Sequence, residues 1–245
     1  MMQHTIEVNH ADMRFNLAEE KTDTIKEYFV KLLKGKLHFS EFYAVRDVSF
    51  TVQRGESVAL IGRNGSGKST LLKMIAGVLY PSRGTVTVRG SIAPLIELGA
   101  GFDMELTARE NIYLNGAVLG HDRDFMNAHF QEVVEFAELQ EFLDVPMKNY
   151  SSGMVARLGF AIATIVRADI LLVDEILAVG DYKFQQKCHE RMSRLLADGT
   201  TLLFVSHNED QVKELCGKAV WLDHGRMMAT GDVNEVYEAY HRAVD

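Results

Sequence analysis

Cysteine is nearly missing from this chain: Cys188 and Cys216 are the two among 245 residues, and they form no CxxC pair. That usage fits a reducing compartment, with both thiols acting as small buried hydrophobes. Positive charge is also short, with 26 Lys and Arg against 34 Asp and Glu and a net charge of −8. Phosphate backbones need a basic footprint, so no nucleic acid is expected as a partner, although a local basic patch stays open. Long apolar runs are lacking. Leu158 to Val166 is the longest helix-like one, against the roughly 20 residues a bilayer-spanning helix needs. The start, MMQHTIEVNH, has no apolar core of a secretory signal, and none is expected. The nine histidines show no HExxH or paired ligand spacing, which argues against a structural metal. We expect a chain that is not integral to a membrane but can sit against a protein that is.

What is present is an ordinary globular composition, 47% hydrophobic and 24% charged, in a length that suits one large domain or two small ones. Ile6 to Val8 reads as a short strand. Thr24 to Lys34 reads as a helix with a capping box at Thr24 and Glu27 and a stop at Gly35. Val48 to Val52, Ser57 to Ile61 and RGTVTVRG read as strands. From Thr107 to Val166 the period turns helical, over Ile112 to Leu119, Phe125 to Leu143 and Met154 to Val166. ADILLVDE and TTLLFVSH are continuous apolar runs, suited to parallel strands covered on both faces. AVWLDHGRMMATG reads as a hairpin turned at His224-Gly225, and a helix capped by Asp232 closes the chain. The expected fold is α/β with an all-α insertion.

Gly62-Arg63-Asn64-Gly65-Ser66-Gly67-Lys68-Ser69 is GxxxxGKS between an apolar strand and an apolar helix. Glycines let backbone N–H groups turn inward and approach phosphate oxygens, and the following helix aims its positive end at the same anion. Lys68 supplies charge for the β and γ phosphates; Ser69 is placed as a Mg²⁺ ligand, with Thr70 near enough to assist. The run ILLV delivers Asp174 to a strand's carboxyl end, where it can hold Mg²⁺ through water. Glu175, next to it, is placed to polarise an attacking water. Ser151, Ser152 and Gly153 open an amphipathic helix, which makes a second anion site; taken alone, the same pattern is an ordinary helix cap.

In this order, the phosphate loop, the helical block ending in a serine-glycine helix start, Asp-Glu after an apolar strand and a histidine after the next strand resemble the nucleotide-binding subunit of an ABC transporter. The resemblance runs from Ile6 to the last helix. It implies a P-loop core with a mixed sheet, an N-terminal antiparallel β subdomain and an inserted helical subdomain, all one nucleotide-binding domain over 1–245, with the core at about 1–104 and 167–245 and the helical part at about 105–166. It implies ATP and Mg²⁺ as cofactors, Gly62 to Thr70 as the Walker A loop, Asp174 as the Walker B aspartate and Glu175 as the catalytic glutamate. Asp181 closes a D-loop at Ala178 to Asp181, His207 is the switch histidine for the γ-phosphate, and Tyr43 stacks on adenine, with Phe42 as the alternative. Tyr150 to Met154 replaces the usual LSGGQ signature, and Glu97 takes the place of the metal-side Q-loop glutamine. Two copies would close head to tail, each lending Ser151, Ser152 and Gly153 to the other's ATP.

IELGAGFDMELTARENI, YSSGM and DEILAVGDYKFQQKC, with the early helix, resemble the subgroup that exports bacterial cell-surface polysaccharide such as O-antigen or teichoic acid. The implied partners are an integral membrane subunit, a second copy of the chain and, indirectly, the glycan; the implied place is the cytoplasmic face of the membrane. The chain is expected to be either of the short type or the first domain of a longer protein. Leu98 to Phe102 is a candidate contact with the membrane subunit. The lysines at 26, 31, 34 and 36 either meet the membrane surface or solvate the edge of their own domain. The roughly 80 residues between the two halves of the site hold no heptad run, unlike coiled-coil ATPases, and no NKxD guanine-reading motif occurs. An ABC ATPase of another transporter subgroup, or an ATP-dependent switch without transport, is the alternative.

Overall fold

The computed structural model describes residues 4–18, 39–96, 98–99, 101–165, 168–174 and 180–244. The expected helix from Thr24 to Lys34 lies outside them. Two sheets organise the rest. Strands β1 (His4–Ala18), β2 (Phe39–Gln53) and β4 (Arg83–Val88) form an antiparallel sheet in the order β2-β1-β4, with Ile6 opposite both Val52 and Val88. β3 (Ser57–Ile61), β5 (Ile92–Leu95), β6 (Ile170–Asp174), β7 (Thr201–Val205), β8 (Lys218–Asp223) and β9 (Arg226–Asp232) form the second, in the order β5-β6-β7-β3-β8-β9. All its pairings are parallel except β8 with β9.

The apolar runs are continuous because the central strands are buried on both sides. Ile61, Leu171, Val173, Leu202 and Phe204 point into one core, packed under the helices; Leu60, Ile170, Leu172, Leu203 and Val205 point into the other, under the antiparallel sheet. Helix α1 (Lys68–Ile75) buries Leu71, Leu72, Met74 and Ile75 in that second core.

Helices α2 (Ala108–Val118), α3 (Arg123–Ala137) and α4 (Ser152–Ile165) follow β5 and place Ile112, Met126, Val133, Phe136, Leu158 and Phe160 in the first core. α2 starts with a full capping box: Glu110 N–H donates to the Thr107 hydroxyl, and the Glu110 carboxylate accepts from the Thr107 N–H. Asn111, fully buried, donates to the carbonyls of Asp103 and Thr107 at 2.8 and 3.0 Å and accepts from the Asp103 N–H at 2.9 Å. One amide thereby folds the loop that leads into the helices. α5 (Tyr182–Ala197), α6 (Glu209–Leu215) and α7 (Val233–Val244) complete the described helices. Asp232 accepts from the Asn234 N–H at the start of α7, as the sequence suggests. The strand expected at Ile6 to Val8 falls near the start of the 15-residue β1. Cys188 and Cys216 are buried free thiols, and burial pushes both up to about 12.

Candidate functional site

β3 ends at Ile61, and the chain crosses from Gly62 to Gly67 before α1 starts at Lys68. Conformation demands the glycines here. Gly62, Gly65 and Gly67 have φ of 142°, 79° and 104°. A Cβ on Gly67 would lie 2.3 Å from the Ala44 carbonyl oxygen, and one on Gly62 2.1 Å from that of Leu222. The loop is also gripped from outside. Gly225 N–H donates to the Ser66 carbonyl at 3.0 Å, and Arg46 N–H donates to the Gly225 carbonyl at 2.7 Å. The His224-Gly225 turn, read from the sequence only as the hairpin's corner, thus braces the loop against β2.

The result is a cradle of unsatisfied donors. Among the described residues no side chain caps the first turn of α1, so its orphan N–H groups and positive dipole end suit an anion. The Ser66 hydroxyl oxygen is buried without a hydrogen-bond partner among the described residues. Lys68 is 6% exposed, and its Nζ donates to the carbonyls of Gly62 and Arg63 at 2.8 and 3.0 Å. Burial holds its ammonium below the ordinary lysine value, and the Asp174 carboxylate acts in the opposite sense. A buried cation short of negative charge suits a phosphate.

A cavity of about 230 Å³ opens over this cradle. Asn64, Gly65, Ser66, Gly67, Lys68, Ser69 and Thr70 form its floor, and Asp174 and His207 reach it from the ends of β6 and β7. Those ends coincide because the strands run parallel, with Asp174 paired to Val205. Gly62 and Arg63 serve Lys68 through their carbonyls and do not line the cavity. The aromatic wall is Phe42, 48% exposed, and not Tyr43. Tyr43 does not line the cavity; the Arg46 guanidinium stands 5.2 Å from its ring centre.

Other sequence candidates stand apart. Ser151, Ser152 and Gly153 start α4 and do not line the cavity; the Ser151 hydroxyl accepts from the Met154 N–H at 3.2 Å. Asp181 is not on the cavity wall either. It caps α5 by accepting from the Phe184 N–H at 2.9 Å, and Arg157 donates to it at 2.8 Å. These two bonds, the Phe184 one first, hold the Asp181 carboxyl below the usual aspartate range. Glu97, Glu175 and Ala178 lie outside the described residues. Phe42 was recognisable only as the alternative to Tyr43, and the Gly225 brace had no signal beyond its turn.

A phosphate cradle between β3 and α1, faced by a carboxylate from a neighbouring parallel strand, defines a P-loop nucleotide-binding protein. The chain belongs to the ABC transporter family, whose profile matches residues 45–178, and it is an ATPase of that family. It is 48% identical over 214 residues to the O-antigen export system ATP-binding protein of Klebsiella pneumoniae, covering 87% of this chain and 85% of that one. It is 40% identical over 239 residues to the teichoic acids export ATP-binding protein of Bacillus anthracis, covering 98% of this chain and 43% of that one. The fold is shared with a dimeric ATP-binding cassette solved in a post-hydrolysis state with ADP and Pi, at TM-score 0.74 and 21% identity, over 93% of this chain and 98% of that one.

Proposed function

We propose that the chain is the ATP-hydrolysing motor of a bacterial ABC exporter of cell-surface polysaccharide, an O-antigen, a teichoic acid or a related lipid-linked glycan. The 48% identity to an O-antigen export protein across most of both chains carries this reading. Residues 105–166 act as a helical lobe on a core made of about 1–104 and 167–245.

The phosphates of ATP lie along Gly62 to Thr70, with Lys68 against the β and γ groups and the α1 N–H groups at their oxygens. Phe42, the cavity's aromatic wall, stacks on adenine, which makes Tyr43 a β2 structural residue. Ser69 and Asp174 would hold Mg²⁺, with Glu97 at the metal side; the oxygen donors present suit that hard cation. Bound there, it neutralises charge developing on the β and γ oxygens. Glu175 orients and polarises the attacking water, and His207 bonds the γ-phosphate, so that its loss is felt at the end of β7.

The second half of the pocket comes from another copy. Gly153 supports this, because none of the described residues around it asks for glycine. Among the described residues a Cβ there would meet only the Ser151 hydroxyl, at 3.8 Å, and a helical glycine is a cost of about 1 kcal/mol against alanine. A bare helix start with open space above it suits close approach by a phosphate from across an interface. ATP then favours the closed pair, hydrolysis removes the bridge, and the pair opens.

The membrane subunit docks where the lobe meets the core. An apolar cavity of about 260 Å³ there is lined by Ile96, Leu98, Gly99 and Leu119, and Val78 and Val118 on its rim are 66% and 68% exposed. Docking at this face would hold the chain on the cytoplasmic surface of the membrane. Replacing Glu175 by Gln in the cell that encodes the chain tests the export role. Lipid-linked glycan should accumulate inside and vanish from the surface; an unchanged surface glycan would contradict it.

A further inference from the structure

Arg157 stands on α4 five residues after Ser152, with a side chain only 18% exposed. Its two terminal nitrogens part: one donates to the Glu138 carboxylate at 3.1 Å, the other to that of Asp181 at 2.8 Å. The guanidinium lies over the Phe184 ring, 4.7 Å from its centre. Glu138 is the left-handed residue, φ 59°, that ends α3. Asp181 and the buried Phe184 form the first turn of α5, on the chain that has just left β6. One planar cation therefore joins α3, α4 and α5.

A second fastening is independent of it. The Lys187 ammonium donates to the Phe136 carbonyl at 2.9 Å and to Glu138 at 3.3 Å, and lies 4.8 Å over the Phe136 ring. α3 thus stays docked on α5 without Arg157. What Arg157 adds among the described residues is a charged link between the helix headed by Ser151 to Gly153 and the chain at Asp181, downstream of Asp174.

We propose that Arg157 is a positioning residue for ATP turnover: through Asp181 it sets where the Ser151–Gly153 helix start stands relative to the chain that follows the Asp174 strand. Its consequence for turnover rests on the two-copy mechanism proposed above; the link itself lies within one chain. A partly desolvated guanidinium shared between two carboxylates and a ring has one good geometry, so a shift of the 180–184 segment is handed to α4. A lysine, a single point of charge, cannot span both carboxylates.

Two variants separate this from simple packing. Arg157→Met keeps the apolar stem over Phe184 and drops both ion pairs. Asp181→Asn keeps an oxygen for the Phe184 N–H and drops the charge. By hydrogen exchange on the isolated chain, Arg157→Met should raise exchange in 181–185, and Asp181→Asn should raise it in 152–158. The double variant should do no more than the larger single one. ATP affinity of the single copy should hold, while kcat falls about tenfold at unchanged KM and Arg157→Lys fails to rescue it. Exchange changes confined to the substituted helix, or an unchanged kcat, would overturn the proposal. If a hydrolysis-deficient parent never pairs on ATP, the two-copy mechanism falls instead, and the exchange result still decides the link.

Discussion

At the residue scale, two pairs of neighbours or analogues tell roles apart. Phe42 lines the cavity and Tyr43 does not. Phe42→Ala should weaken ATP binding about tenfold, a stacking loss of roughly 1–1.5 kcal/mol, while Tyr43→Ala leaves titrated affinity unchanged. Gly67 and Gly153 make the second pair. Alanine at Gly67, at φ 104° and 2.3 Å from the Ala44 carbonyl, should unfold the loop and abolish binding. Alanine at Gly153 should leave the monomer as stable or add up to about 1 kcal/mol to its unfolding free energy, seen as a higher denaturant midpoint, yet lower steady-state ATPase activity. The phosphate loop was legible because its chemistry is local: glycine spacing, a lysine and two hydroxyls carry it. The choice between Phe42 and Tyr43 was not. Parity along β2 depends on register shifts in its pairing with β1 around Ala11, Met13 and Arg14, which no local pattern encodes.

At the element scale, caps and one buried amide hold the helical part together. Asn111→Ala should cost about 1–3 kcal/mol, seen as a lower midpoint in urea, because it removes a fully buried amide and strips partners from partly buried backbone groups of Asp103 and Thr107. The acid response has a defined sign. Glu110 and Asp181 lie below their usual carboxyl range, each first through a backbone N–H, of Thr107 and of Phe184 respectively. Their support is full above the unfolded values near 4 and is lost as the pH falls through the lowered folded values. Circular dichroism melts should therefore be flat from neutral to about pH 5 and drop below pH 4. Helix periods and cap residues made α2, α3 and α4 readable. The full length of β1 was hidden, because His10 and its neighbour across the sheet, Asp47, take φ of 47° and 53° and break the alternation. Asp181 was readable as part of a motif, but its bond to Arg157 crosses 24 residues and exists only in the fold.

At the scale of the whole molecule, two cores share one sheet, and the strands between them are buried on both faces. The parallel strands β6 and β7 end together at the cavity, which brings Asp174, Val205 and the following His207 to one wall. Ser151 to Gly153, by contrast, do not line their own cavity, and in the proposed mechanism they meet a phosphate held by a second chain. The most direct measurement is light scattering behind gel filtration of the Glu175→Gln chain with Mg²⁺ and ATP. The account predicts a species of twice the monomer mass that Gly153→Ala weakens and ADP does not support. A protein that binds ATP with full affinity and stays at monomer mass would contradict it.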